Sequence, residues 1–286
     1  PPLHGASKNN AILASKLEKK GMDVHRLDVA VPAISHARKG LYHFQRLMKN
    51  GLVNYKLRKK AQKGSVFYMV PDGGVGIWYS LLHIQAAQKY YDLLILHHRT
   101  HKYIDEKSSV MEKMTNIASQ KTVHVFLTEG MASRFTKMYG KCQAFVASNA
   151  RFIEPSDKST LRIKNKRSAL RLGYLSNLCR EKGFYEVVDT FKYARRIGMN
   201  VTLDLAGPIL EQEIQSTIDT LQINYGSKVR HWGFLKHYQK DLFFKQIDVF
   251  LFPTQYKLEA APNVVYEALS AGVPVIATDR GCIPDI

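Results

Sequence analysis

Two carboxylates, Glu259 and Glu267, stand eight positions apart in KLEAAPNVVYEALSAGVPVIATD, on either side of an Ala-Ala-Pro-Asn turn. Pro262 suits the first position of a helix, and Gly272 lies just past its expected end. A helix start there would present the free amides of Ala261, Asn263 and Val264, where the helix dipole favours an anion. The strand-like run DVFLFP leads into the same turn, and in open α/β sheets ligands bind beyond the carboxyl ends of strands. A diphosphate at the turn, with a carboxylate on each side for sugar hydroxyls, is the chemistry this spacing suits. On spacing alone, a surface glutamate on an ordinary amphipathic helix fits equally well.

Such a site needs a frame. Short apolar runs alternate with helical patterns along the chain, which predicts an α/β protein with parallel sheets. In the first half, AILASKLEKKG reads as a helix closed by Gly21. Strands are expected at DVHRLDVAV, SVFYMV, DLLIL, VHVFLT and CQAFVAS. In the second half, strands are expected at LRLGYL, NVTLDLAG, VRHWG, DVFLFP and VPVIAT, with helices over about 183–196, 209–222, 236–245 and 263–271. The polar, turn-rich EPSDKSTLRIKNKRSA predicts a hinge, dividing the chain into domains over 1–160 and 161–286 with a cleft between two doubly wound halves. The chain opens on the loop PPLHGAS and a helix, and it stops at GCIPDI. A first strand and a C-terminal helical segment are therefore expected beyond its ends.

At 286 residues the chain exceeds the usual size of one hydrophobic core, and 45% hydrophobic content is that of a globular protein. Cys142, Cys179 and Cys282 are odd in number and lack metal-ligand spacing, which fits a reducing compartment better than a disulfide framework. No apolar run approaches the roughly 20 residues of a membrane span. The net charge of +18 is uneven. Residues 1–150 hold 23 Lys and Arg against 9 Asp and Glu, whereas 151–286 hold 19 against 15. A basic half suits an anionic partner: nucleic acid, an anionic membrane surface or a phosphate-bearing substrate. Its densest run is KLRKKAQK, Lys56 to Lys63. Nucleic acid is the weakest of the three, because the basic residues do not interleave with aromatics in any RNA-binding pattern.

The stretch EAAPNVVYEALSAGVPVIATD closely resembles the Glu-x7-Glu motif of family 4 (group 1) retaining glycosyltransferases of bacterial polysaccharide and glycolipid type. Other segments resemble that family in its own order. LGYLSNLCREKGFYEVVDTF is similar to its first strand, loop and Lys-Gly segment, and LDLAGP and RHWGFL to the strand ends that hold the base. PPLHGAS is similar to the N-terminal glycine loop, and LLILHHR to the strand ending in a histidine. The resemblance implies the GT-B fold, with an N-terminal acceptor-side domain and a C-terminal nucleotide-sugar domain.

It also implies roles. Glu267 would hold the ribose hydroxyls, and Glu259 the hydroxyls of the transferred sugar. The backbone of Ala261, Pro262, Asn263 and Val264 would receive the diphosphate, which Lys182 would neutralise. Gly233, Phe234 and Leu235 would meet the base, and Gly5 would lie in the glycine loop. One of His97 and His98 would touch the donor sugar or reacting centre; strand alternation turns the two to opposite faces. Arg99 is a candidate for an acceptor phosphate. The family often has an arginine directly after the glycine of its first nucleotide-domain strand. Here Tyr174 follows Gly173, so Arg180 becomes the candidate second cation. Many relatives carry a glycine pair where this chain has Gly5 alone.

No Asp-x-Asp motif and no His/Cys cluster is present, so metal-free transfer without a cofactor is expected; the resemblance implies that the anomeric configuration is retained. The expected partners are a nucleotide-sugar donor and a glycan or lipid-linked acceptor, with an anionic membrane surface as a candidate. No nucleic acid is expected. The expected location is the cytoplasm, with the inner face of the membrane as a candidate. A catalytically silent scaffold of the same fold is the alternative; turnover would separate the two.

Overall fold

The structure, a computed structural model, describes residues 5–29, 39–117, 120–153 and 169–286. It divides into two compact units, Pro1–Ser148 with Asp285 and Asn149–Pro284 with Ile286. The expected hinge at 154–169 lies outside the described residues except for Ala169, and so does the expected 160/161 boundary.

The first unit runs α1 (Gly5–Lys19), α2 (Lys39–Lys60), β1 (Val66–Met69), α3 (Ile77–Tyr90), β2 (Leu93–His97), α4 (Lys102–Asp105), α5 (Ser109–Ile117), β3 (Thr122–Phe126), α6 (Glu129–Tyr139) and β4 (Gln143–Val146). Among the described residues its four strands are parallel and in sequential order. Parallel strands need long crossovers, and helices supply them. Leu94 and Leu96 of β2, Phe126 of β3, Ile84 and Ala87 of α3 and Phe135 of α6 are among the side chains that are fully buried. Helix α2 is tied to α3 by His83, whose ring nitrogens lie 2.7 Å from Asn54 Oδ1 and 2.9 Å from Asn50 Oδ1.

The strand expected over 23–31 does not form across 23–29, and residues 30 and 31 lie outside the described residues. Asp23, His25, Arg26 and Asp28 are exposed. Alternation alone does not make a strand; the segment forms no ladder, and β1 pairs with β2.

The second unit runs β5 (Leu170–Leu175), α7 (Phe184–Arg196), β6 (Val201–Ala206), α8 (Gln212–Tyr225), β7 (Val229–His231), α9 (His237–Gln246), β8 (Val249–Phe252), α10 (Asn263–Ser270) and β9 (Val275–Ala277). All pairings are parallel, in the order β7-β6-β5-β8-β9. Alternating side chains divide the core between the two faces of this sheet. Leu172, Tyr174, Leu203, Leu205 and Leu251 pack with α7 and α8. Leu175, Ala206, Phe250 and Phe252 pack with α9 and α10.

Helix α8 starts three residues later than expected. Leu178 donates to the Pro208 carbonyl, 2.8 Å, and Leu210 donates to the Leu178 carbonyl, 3.1 Å, so 208–210 pair with the β5 loop instead of coiling. The strand order sets the position that matters most. The chain steps outward from β5 through β6 to β7, then returns to β5's other side as β8. The order therefore reverses between β5 and β8, which is where such sheets bind ligands beyond their carboxyl ends.

Candidate functional site

Lys182 and Glu259 meet at that reversal. Lys182 ends a 3-10 turn, Arg180–Lys182, in the loop after β5, and Glu259 lies in the loop after β8. The two loops are stitched together by their backbones, since Gln255 donates to the Glu181 carbonyl, 2.8 Å. Gly183 adopts φ +86°, and a β-carbon there would collide with the Pro253 carbonyl. Only glycine tolerates both the conformation and the approach.

Lys182 Nζ lies 2.7 Å from Glu259 Oε2, with side chains 19% and 11% exposed. The ammonium also sits 4.2 Å from the centre of the Tyr256 ring. Thr254, fully buried, donates to the same Glu259 oxygen at 3.4 Å, and Thr278 donates to the Thr254 carbonyl at 2.7 Å. Beneath them, Tyr174 donates its hydroxyl to the Lys182 carbonyl, 2.9 Å. The tyrosine that stands where the resemblance leads one to expect an arginine thus holds the lysine's backbone. Half-buried opposite charges held by neutral side chains form a polar centre that an anion can share and polarise.

The turn before α10 is held from two sides. Asn149, 6% exposed, donates to the Ala261 carbonyl at 2.7 Å. Gly281, at φ +62°, packs where a β-carbon would strike the carbonyls of Glu259 and Ala260. Pro262 caps the helix instead of occupying its first position, and the helix begins at Asn263. Proline's fixed φ suits either place, and the cap value of −68° is its ordinary one. At the start of α10 the Val265 amide donates to the carbonyl of the Pro262 cap, 3.1 Å.

Glu267, one helical turn further along α10, is joined at Oε2 by Lys240 Nζ of α9, 2.7 Å away. Both expected carboxylates therefore have a lysine partner, and neither partnership is written in local spacing. Arg180 is exposed and turns its guanidinium over the Tyr185 ring, 4.5 Å from its centre. Gly233, at φ +67°, accepts from the Gly207 amide, 2.8 Å. Phe234 beside it is 66% exposed, whereas the Leu235 side chain belongs to the core.

In the first unit, the two histidines part company. His98 is fully buried, hydrogen-bonded to His124 at 2.9 Å and to the Tyr103 hydroxyl at 3.1 Å. It stacks on Phe126 with ring centres 4.7 Å apart. Burial, then His124 and His97, hold its pKa well below the usual histidine range. His98 lies within the core of the first unit. His97 is 3% exposed, and its Nδ1 lies 2.8 Å from the Tyr68 hydroxyl and 3.2 Å from Arg99 Nη2. Arginine can only donate, so Nδ1 accepts and the ring proton sits on Nε2. Burial, then the Arg99 guanidinium, push this imidazole down to about 3. Arg99 also donates to Asn10 Oδ1 on α1, 2.9 Å. Gly5 is the first residue of α1, and the loop before it lies outside the described residues. PDGGVG is a closed turn in which the Gly74 amide donates to Asp72 Oδ1, 2.6 Å. Among the described residues, no three His, Cys, Asp or Glu side chains form a group that could hold a metal ion.

Residues 157–286 match the family described as glycosyl transferases group 1. A capsular polysaccharide biosynthesis glycosyltransferase, CapM of Staphylococcus aureus, is 30% identical over 109 residues, covering 38% of this chain and 27% of that protein. The chain thus aligns with little more than a quarter of that relative's length. Solved structures resemble it along most of its length at low identity. HepE of Anabaena, in complex with UDP and glucose, superposes with a TM-score of 0.58 at 14% identity over 96% of this chain and 72% of its own. Sucrose-phosphate synthase of Thermosynechococcus elongatus gives 0.59 at 16% identity, covering 90% and 66%. TarM gives 0.60 at 14% identity, covering 82% and 45%. These likenesses establish the fold as GT-B, with Rossmann-like parallel sheets in both units.

Proposed function

We propose, from the premise that the second unit belongs to the group 1 glycosyl transferases, that this protein moves a sugar from a nucleoside-diphosphate sugar to a glycan or lipid-linked acceptor. The observation that carries the reading is the Lys182–Glu259 pair, 2.7 Å apart, at the point where the strand order reverses. The donor diphosphate lies at the start of α10, against the amides of the 261–264 turn and the Lys182 ammonium. As the glycosidic bond breaks, its electron pair passes to the departing phosphate oxygen, and the cation and helix dipole stabilise the charge that grows there. Glu259, released from part of its contact with Lys182, accepts from hydroxyls of the transferred sugar. Glu267 accepts from the ribose hydroxyls while Lys240 keeps the carboxylate in place. Transfer proceeds without a metal, and the acceptor oxygen attacks the face that the phosphate leaves, so configuration is retained. Its proton passes to the leaving phosphate.

The first unit takes the acceptor, and Arg99 with His97 and Tyr68 offers a polar group for it. An anionic membrane surface is where a lipid-linked acceptor is met. HepE bound to UDP and glucose and CapM named for capsular polysaccharide synthesis support this class of donor and product. Titration with UDP, GDP and ADP in the presence of a chelator tests the donor site, followed by turnover with the matching nucleotide-sugar. One nucleoside diphosphate should bind, and Lys182→Ala should depress turnover. Phosphate density away from residues 260–264 in a soaked crystal, or no binding of any of the three, would overturn the assignment.

A further inference from the structure

Helix α2 has two faces of opposite character, one buried and one exposed. Its inner face carries Asn50, Val53 and Leu57, all buried, with Asn50 and Asn54 clasped by His83 of α3. Its outer face carries Phe44, Leu47, Met48, Leu52 and Tyr55, each more than half exposed. Spacings of three and four place these five on one stripe of a helix. Five large apolar side chains held in water along one stripe mark a contact surface.

The last turns of the same helix supply the charge. Lys56, Arg58, Lys59 and Lys60 are exposed, and Lys59 Nζ lies 5.5 Å from the centre of the Tyr55 ring. Beside them a groove of about 430 Å³ is lined by Lys56, Lys59 and Lys60 together with Val24, His25, Arg26 and Leu27. Arg26 is spoken for by Glu18, with both carboxylate oxygens at 2.8 Å. The three lysines line the groove next to apolar Val24 and Leu27. A row of cations bordering an apolar stripe complements a surface that is anionic at its edge and hydrocarbon beneath.

We infer that the outer face of α2 and the lysine groove beside it dock onto an anionic phospholipid surface. The helix lies in the plane of the interface, with Phe44, Met48 and Leu52 dipping below the headgroups and the last-turn lysines holding lipid phosphates. No described helix is long and apolar enough to cross a membrane. The contact made by this face is peripheral and reversible. A second copy of the chain is a poor occupant, because each brings a net charge of +18 and the same cations. Nucleic acid would use the lysines and leave the apolar stripe in water. The inference deepens the proposed function by locating where a lipid-linked acceptor is met, and it can fail while the donor site stands.

The test is flotation of the whole chain with phosphatidylcholine vesicles, with and without phosphatidylglycerol, at low and high salt. Wild type should float with the anionic vesicles and release as salt rises. Lys56→Ser, Arg58→Ser, Lys59→Ser and Lys60→Ser together should weaken partitioning at least about a hundred-fold, at roughly five-fold per cation. Phe44→Ser, Met48→Ser and Leu52→Ser together should abolish the binding that remains at intermediate salt. Nucleoside diphosphate titration and thermal unfolding, run on each variant, should match wild type, since none of these seven side chains lies in the core or the second unit. Equal flotation with neutral and anionic vesicles would overturn the inference. So would an apolar triple variant that floats like wild type, or a dimeric mass that the triple variant abolishes. Failure of nucleotide binding in wild type would instead sink the donor-site reading and leave this one intact.

Discussion

Lowering the pH from about 7.5 to about 5 should loosen the first unit far more than the second, because the first unit stores uncharged histidines in its core. His97, His98 and His124 are 3%, 0% and 2% exposed. Burial, with Arg99 also acting on His97, holds His97 down to about 3; burial alone holds His124 down to about 4. His98 is held well below the usual range by burial and then by its histidine neighbours. In the unfolded chain each would titrate near about 6.5. Between that value and about 4 the unfolded chain therefore binds more protons than the folded one, and stability falls as pH falls. The contribution is fully present above about 6.5. By about pH 5 His97 and His124 each cost about 2 kcal/mol, which is about 1.4 kcal/mol per pH unit over about 1.5 units, and His98 acts in the same direction. The two together cost about 4 kcal/mol, a large share of the whole stability of an ordinary domain. Hydrogen exchange read by mass spectrometry over peptides spanning β2 and β3 measures the opening free energy directly. The double variant His98→Leu and His124→Leu should show a shallower pH slope, whatever its baseline stability. A change of less than about 1 kcal/mol in wild type, or an unchanged slope in the double variant, would refute the assignment of neutral buried imidazoles.

Glu267→Ala should weaken nucleotide binding ten- to a hundred-fold, about 1.5–3 kcal/mol, while leaving thermal stability nearly unchanged; normal binding by calorimetry would reduce this carboxylate to a surface charge. Lys182→Ala strands the half-buried Glu259 carboxylate, so unfolding should come about 1–3 kcal/mol sooner in urea, and turnover should fall about a hundred-fold or more. Gly183→Ala forces both a left-handed backbone and a collision with the Pro253 carbonyl, so it should destabilise the second unit by about 2 kcal/mol or more, seen as a lower melting temperature. A melting temperature equal to wild type would show that the two loops are not clasped as described.

The sheets were legible because short apolar runs and helix stops carry their own signal. VFYM, LLILH, TVHVF and LRLGYL became strands, and Gly21 and Gly272 took the positive φ values that follow helices. What misled was a pattern that needed a partner. DVHRLDVAV has the composition of a strand, but no ladder forms across 23–29. The late start of α8 has the same origin, because residues 208–210 bond to Leu178, some thirty positions away, and no local propensity encodes that contact.

The site divides along the same line. Glu259 and Glu267 were singled out by the turn between them and Lys182 by the resemblance, but the contacts that hold the two carboxylates came from other elements. Lys240 reaches Glu267 from α9, and Asn149 reaches Ala261 from 112 positions away in sequence. Thr254 left no signal beyond following a strand, yet it is fully buried against Glu259. The histidines show the converse. Two adjacent imidazoles at a strand end look alike in sequence, and alternation says only that they differ. Which one is core depends on Phe126, Phe135 and His124 waiting on one face, while Tyr68 and Arg99 wait on the other. Chemistry is written locally as residue type, whereas the protonation state that makes it usable is written by residues the fold brings from elsewhere.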